Sequence, residues 1–192
     1  MPEGLLVARG TISLDLSWPA AESDGDTVKV TLASGDAFSY SAAGDRTSLQ
    51  PTHAFDGAVV RGAGRKSPID KKNRVTIRFQ GVDTTELHYA PAPLPKKASF
   101  TQTVREAYSK LHKEYRRPFG ETAPLVLRAA LSDGGSSVLP CRVETRVDHP
   151  NEVFDTYGRM IGDVIVELDS GDMNLNRFLV QEGWAFLHST FP

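Results

Sequence analysis

Apolar residues recur at every second position in several short runs, and that two-residue period most limits the folds open to this chain. In residues 27 to 32, Val28, Val30 and Leu32 alternate with Lys29 and Thr31. In residues 75 to 80, Val75, Ile77 and Phe79 share one face, which sends Arg78 to the other. Leu139, Cys141, Val143 and Val147 line one face of a third run. Successive side chains of a strand point to opposite faces, so each run reads as a half-buried strand. Strands are expected at 5 to 16, 27 to 32, 75 to 80, 138 to 147 and 160 to 168.

The segments between them are of two kinds. Residues 34 to 74 are rich in Gly, Ser, Asp and Ala. They predict a long excursion, a hairpin extension with its tip near Gly62-Ala63-Gly64. Three prolines (Pro91, Pro93, Pro95) make residues 90 to 97 an extended link. Helical spacing follows at 98 to 115, where Phe100, Val104, Tyr108, Leu111 and Tyr115 form a stripe that must bury, and Pro118 ends that helix. A second helix is expected at 123 to 132, with Pro124 in its first turn and Gly134-Gly135 beyond its end. A third is expected at 175 to 182, capped by Asn174 and stopped by Gly183. Short strands around an inserted helix suit a small closed barrel of the OB type.

Charge distribution says more about partners than the net charge of -2. Residues 58 to 78 hold seven Lys/Arg against Asp70, and residues 96 to 117 hold seven more against Glu106 and Glu114. Such basic segments are a footprint that a polyanion can use. No stretch approaches the roughly 20 apolar residues of a membrane-spanning helix. Met1 to Arg9 lacks the basic start and long apolar run of a signal peptide, so compartment stays open, as does oligomeric state. The single cysteine, Cys141, excludes an intrachain disulfide and reads as a buried, inert thiol. Five histidines (His53, His88, His112, His149, His188) show no paired spacing, so no zinc site is written here.

Three polar motifs carry the chemistry: Asp24-Gly25-Asp26-Thr27, then Arg78 five residues before Asp83-Thr84 with Glu86 beyond, then Asp155-x-Tyr157-Gly158-Arg159. Alone, each reads as a turn or a strand exit. Together they supply what phosphodiester hydrolysis needs: a carboxylate base for water, oxygen ligands for a hard cation, and planar guanidinium forks for phosphoryl oxygens.

The order and spacing of these motifs resemble the staphylococcal nuclease (thermonuclease) family, calcium-dependent enzymes that cut DNA and RNA. A C-terminal stretch, Leu175-Asn176, Leu179-Val180, Gly183 and Ala185, is similar to the core helix of that family. The resemblance implies an α+β fold, mainly β: a five-stranded OB-type barrel with about three helices. One such domain would span residues 1–192, with insertions at about 34–74, between the second and third strands of the barrel, and at 88–117. It implies metal ligands at Asp26, Asp83 and the Thr84 carbonyl, a water-activating Glu86, and phosphate-clamping Arg78 and Arg159. Tyr157 matches an aromatic near a terminal phosphate, and Lys96 and Lys97 a basic loop beside the site. Phe191 keeps one of two nucleotide-stacking aromatics, the other being replaced by Ser189. The implied cofactor is Ca2+, with Mg2+ or Mn2+ also compatible with oxygen ligands. The implied partner is DNA and/or RNA, cut endonucleolytically with little sequence selectivity and leaving a 3'-phosphate.

Two departures from the family pattern bear on activity. Thr85 stands where the family usually has proline beside the base, and the helix at 98 to 115 is additional. The alternative to an enzyme is a barrel of this kind that binds nucleic acid or protein without cutting; the intact catalytic positions weigh against it.

Overall fold

The computed structural model describes residues 4–18, 24–35, 37–42, 45–49, 68–84, 94, 100–111, 114, 117–132 and 135–187. Among them are ten β-strands and four α-helices. Five strands close a barrel: β1 (Leu5–Ser13), β2 (Thr27–Leu32), β5 (Arg74–Phe79), β8 (Met160–Leu168) and β7 (Val138–Arg146). β1 pairs with β7 along its whole length on one edge and with β2 on the other, which closes the ring. Only β5 and β8 run parallel within that ring, with Ile77 opposite Met160.

The alternation read from sequence is the alternation that fills the barrel. Val28, Val30, Val75, Ile77 and Phe79 are all buried, with Val143, Met160 and Val164 facing them from the other strands. Cys141 is buried, and loss of solvent pushes its thiol up to about 12, so it stays protonated. The expected strand at 5 to 16 stops at Ser13; a one-turn helix, α1 (Leu14–Ser17), follows and adds to the three helices expected.

The 34–74 excursion contains a hairpin, β3 (Phe38–Ala42) and β4 (Asp45–Leu49), paired from Phe38↔Leu49 to Ala42↔Asp45, so the chain reverses about twenty residues before the expected tip. The expected tip at Gly62-Ala63-Gly64 lies outside the described residues. β3 lies along the N-terminal half of β1, Leu5 to Ala8, and β2 takes over at Gly10. A side chain at Gly10 would come within 2.2 Å of the Thr31 carbonyl oxygen. Glycine is therefore what lets one strand change partners there.

Two helices differ from expectation. α2 is described over Gln102–Leu111, starting after the expected 98 since Phe100 and Thr101 are not helical, and Val104 of its apolar stripe stays 44% exposed; the expected end near 115 falls largely outside the described residues. Leu111 and Tyr115 of that stripe lie outside the described side chains. α3 spans Arg117–Leu131, six residues earlier than expected at its start. Pro118 opens this helix rather than closing the previous one, because a first-turn residue has no intrahelical acceptor for an N–H. Pro124 consequently falls inside the helix. α3 buries Ala123, Leu127 and Leu131.

The last helix, α4 (Leu175–Gln181), forms as expected. The Asn174 side chain accepts the Arg177 N–H at 3.0 Å. Gly183 (φ 75) ends it, with Gly183 N–H on Val180 O and Trp184 N–H on Leu179 O. That is the left-handed glycine stop of a Schellman motif. Three short strands complete the fold: β6 (Val82–Thr84), β9 (Gly171–Asn174) and β10 (Ala185–Leu187), with β6 and β10 paired apart from the main sheet.

Candidate active site

Asp26 sits just before β2 and Arg78 near the end of β5, on strands that pair from Thr27↔Arg78 onward. The turn after β5, with Gly81 at φ 70, returns the chain as β6 carrying Asp83 and Thr84. These elements bring four of the expected residues to one point. The Arg78 guanidinium bridges Asp26 through one terminal nitrogen and Asp83 through the other. The second Asp26 oxygen accepts the Thr84 N–H at 2.9 Å. The Asp26 main chain is fixed as well, its carbonyl taking the Phe79 N–H at 2.8 Å.

Burial separates the two carboxylates. The Asp26 side chain is 1% exposed, and that of Asp83 is 47% exposed. Burial raises the Asp26 carboxyl above its ordinary value, against the opposing pull of Arg78 and of the Thr84 N–H. Helix α3 holds this corner from beneath: a Cβ at Gly25 would meet the Ala123 Cβ at 2.7 Å. Only glycine lets the loop lie that close to the helix.

Arg159 reaches the same side of the barrel from the neighbouring strand. In the parallel β5–β8 ladder Arg78 lies opposite Ile161, so Arg159, two residues earlier, shares the Arg78 face. Asp155 builds the turn that presents it. One Asp155 oxygen accepts the Tyr157 and Arg159 N–H groups, each at 2.9 Å, and the other takes Arg159 Nε at 2.7 Å. Gly158 at φ 82 closes the turn. Tyr157 is 77% exposed, with the Arg159 guanidinium 5.2 Å from its ring centre. Asp155 was legible in the third motif, but its work as the residue that orients Arg159 was not; an Asp four residues before an Arg in a glycine turn is the signal.

Glu86, Lys96, Lys97 and Phe191, expected as base, basic loop and stacking aromatic, lie outside the described residues.

The donor set accommodates a hard cation. Two carboxylates close enough to share one guanidinium can share one metal ion, and the main-chain carbonyl of Thr84, at the end of β6, would be the third oxygen of the expected set. The Thr84 hydroxyl is buried at the same point and, with the Thr84 N–H, favours the charged form of the Asp26 carboxyl. Among the described residues no group of three Asp, Glu, His or Cys side chains converges. Asp26, Asp83 and a Thr84 carbonyl would make an oxygen-only set, the ligand chemistry of calcium or magnesium rather than of zinc.

The model of one protein family, described as staphylococcal nuclease homologue, matches residues 76–192. The match contains Arg78, Asp83, Thr84, Tyr157 and Arg159, while Asp26 precedes it. No curated protein matches the chain.

Proposed function

The chain belongs to the staphylococcal nuclease homologue family, and from that premise we propose that it is a calcium-dependent endonuclease that hydrolyses phosphodiester bonds of DNA and/or RNA with little sequence selectivity. The observation that supports this reading most is the single guanidinium, Arg78, joining a buried and an open carboxylate beside Thr84, with Arg159 on the same face.

In this reading Asp26, Asp83 and the Thr84 carbonyl would hold the ion, which would supply positive charge against the phosphoryl oxygens. Glu86 takes a proton from the attacking water. Arg159, held in place by Asp155, donates its fork to the phosphoryl oxygens as charge develops on them, and Arg78 does the same from the other strand. Tyr157 flanks the phosphate, and Lys96, Lys97 and Phe191 would add contacts to the polymer. Arg78 also has a resting role, since it neutralises two carboxylates that repel each other when no substrate is bound.

The test is cleavage of single-stranded DNA and of RNA with calcium, magnesium or chelator. Glu86→Gln and Arg159→Ala should each lower the rate by about two orders of magnitude or more. Near-normal rates in either variant would remove that residue from the mechanism. Retarded but intact substrate in every lane would make this a binding module instead.

A further inference from the structure

Helix α2 is amphipathic, yet among its described side chains, residues 102–110, none is buried. Val104 is 44% exposed on the apolar stripe that it shares with Tyr108, one turn on. Arg105 and Lys110 flank that stripe, one on each side. Residues 96–117 as a whole hold seven Lys/Arg against Glu106 and Glu114. Most of the stability of so short a helix comes from the face that it packs, so α2 is built to meet another surface.

A groove of about 510 Å³ with complementary chemistry lies at the C-terminal end of α3. Ala130 and Leu131 of α3 form one wall, Val138 and Pro140 of β7 another, and Leu168 and Met173 of the β8–β9 hairpin the third. None of residues 102–110 lines it. Val138 is half exposed there. The rim is acidic: Glu167 and Asp169 border the groove, and residues 160–176 hold four Asp/Glu with no Lys or Arg. Arg142 answers Glu167 and Asp172 from β7, while Asp169 stands exposed in the β8–β9 turn. We propose that α2 of one copy docks in this groove of a second copy, and the reverse, giving a twofold dimer. The basic flanks of the helix meet the acidic rim, and its apolar stripe covers Val138, Leu168 and Met173. Both halves of the match are on one chain, so a second copy supplies what each lacks, and a twofold axis closes the assembly at two chains. One contact of a ten-residue helix, about 15 Å long, is small; the symmetric pair approaches the roughly 1,200 Å² of a stable interface. The site around Arg78 and Arg159 stays open. β8 starts beside Arg159 and reaches the groove only at Leu168, roughly 30 Å farther at about 3.3 Å per residue. The inference does not depend on the nuclease reading.

Sedimentation equilibrium of the full chain in chelator, over a concentration series, should give twice the mass of one chain. Val104→Asp and Val138→Asp should each raise the dissociation constant about tenfold or more, the scale of one buried valine replaced by a charge. Both positions are exposed in the single chain, and an acid suits the first turn of a helix, so circular dichroism of each variant should match the parent. Mixing the two variants in equal amounts is the decisive arm. Each lacks a different half of the contact, so the mixture should recover part of the dimer through one intact helix and one intact groove. Concentrated sodium chloride should loosen the parent dimer by screening the helix from the acidic rim. A monomeric parent overturns the proposal, and one that binds anionic vesicles through Val104 would give the helix to a lipid surface instead. A dimer weakened by Val104→Asp but not by Val138→Asp overturns it too, because α2 would then pair with something other than the groove. A mixture that stays monomeric, or a dimer indifferent to salt, overturns the reciprocal docking.

Discussion

Asp26 carries two opposed demands. It is a carboxylate at 1% exposure, held by Arg78 and the Thr84 N–H. Burial nevertheless outweighs both and raises its carboxyl, with Asp24 adding repulsion. A carboxyl raised in the fold costs stability while charged, and the cost fades only as pH falls through the raised value toward 3.8. At neutral pH the chain therefore bears the cost of a buried carboxylate, which the proposed role as a metal ligand would account for. Asp26→Asn should melt above the parent in chelator, by about 2–4 °C for each kcal/mol gained. Calcium should reverse the order. At a hundred times its Kd it adds about 2.7 kcal/mol to the parent and little to the variant. Calorimetry with and without calcium reads both; a variant that melts lower in chelator would mean that the Arg78 pairing dominates. At this scale the sequence showed Asp26, Arg78, Asp83 and Arg159 plainly, because their spacing survives as spacing. It did not show that one guanidinium would serve two carboxylates, since that depends on strand register.

Among the elements, the strands were legible and the helix boundaries less so. Periodicity locates a strand when one face is buried throughout, as in β5 and β7, whereas β6, β9 and β10 are too short to display a period. Pro118 and Pro124 both fit a helix start by their missing N–H, and only the packing of Ala123 under Gly25 and of Phe119 against Trp184 extends α3 back to the first of them. One strand pair holds a conflict that pattern alone does not reveal. Glu144 of β7 and Asp163 of β8 are directly opposite, and burial together with the Glu144 charge raises the Asp163 carboxyl. Like charges so placed cost about 0.2–1 kcal/mol. Asp163→Asn should therefore be more stable than the parent at neutral pH, with the difference shrinking as pH is lowered toward 3.8. Urea unfolding across that range checks the sign, and a variant that loses stability would show that Asp163 serves a bond worth more than the repulsion.

Taken as one molecule, the barrel and its excursion are not separable, although the sequence suggested an added extension. β3 pairs with β1 over Leu5 to Ala8, on the edge that β2 occupies farther along. Phe38 is fully buried and Ala37 nearly so, and the Arg9 N–H bonds to the Ala37 carbonyl at 2.8 Å. The Tyr40 hydroxyl crosses to the Val147 carbonyl at 3.1 Å, tying the excursion to the far end of β7. The barrel strand β1 therefore depends on the excursion for half of one edge, and the hydrophobic core continues into it. An added surface loop would behave differently, because loop length alone costs little. Truncating Phe38 separates the two cases. If the excursion is part of the core, Phe38→Ala costs about 3–5 kcal/mol, the range for a buried phenylalanine. A loss that large takes much of a marginal fold's total stability, so the proposed metal site, with Asp26 just before β2 and Arg78 on the adjoining β5, should lose any calcium response along with the cooperative transition. Urea denaturation that shows a loss below about 1 kcal/mol, with the calcium response intact, would return the excursion to the status of an appendage.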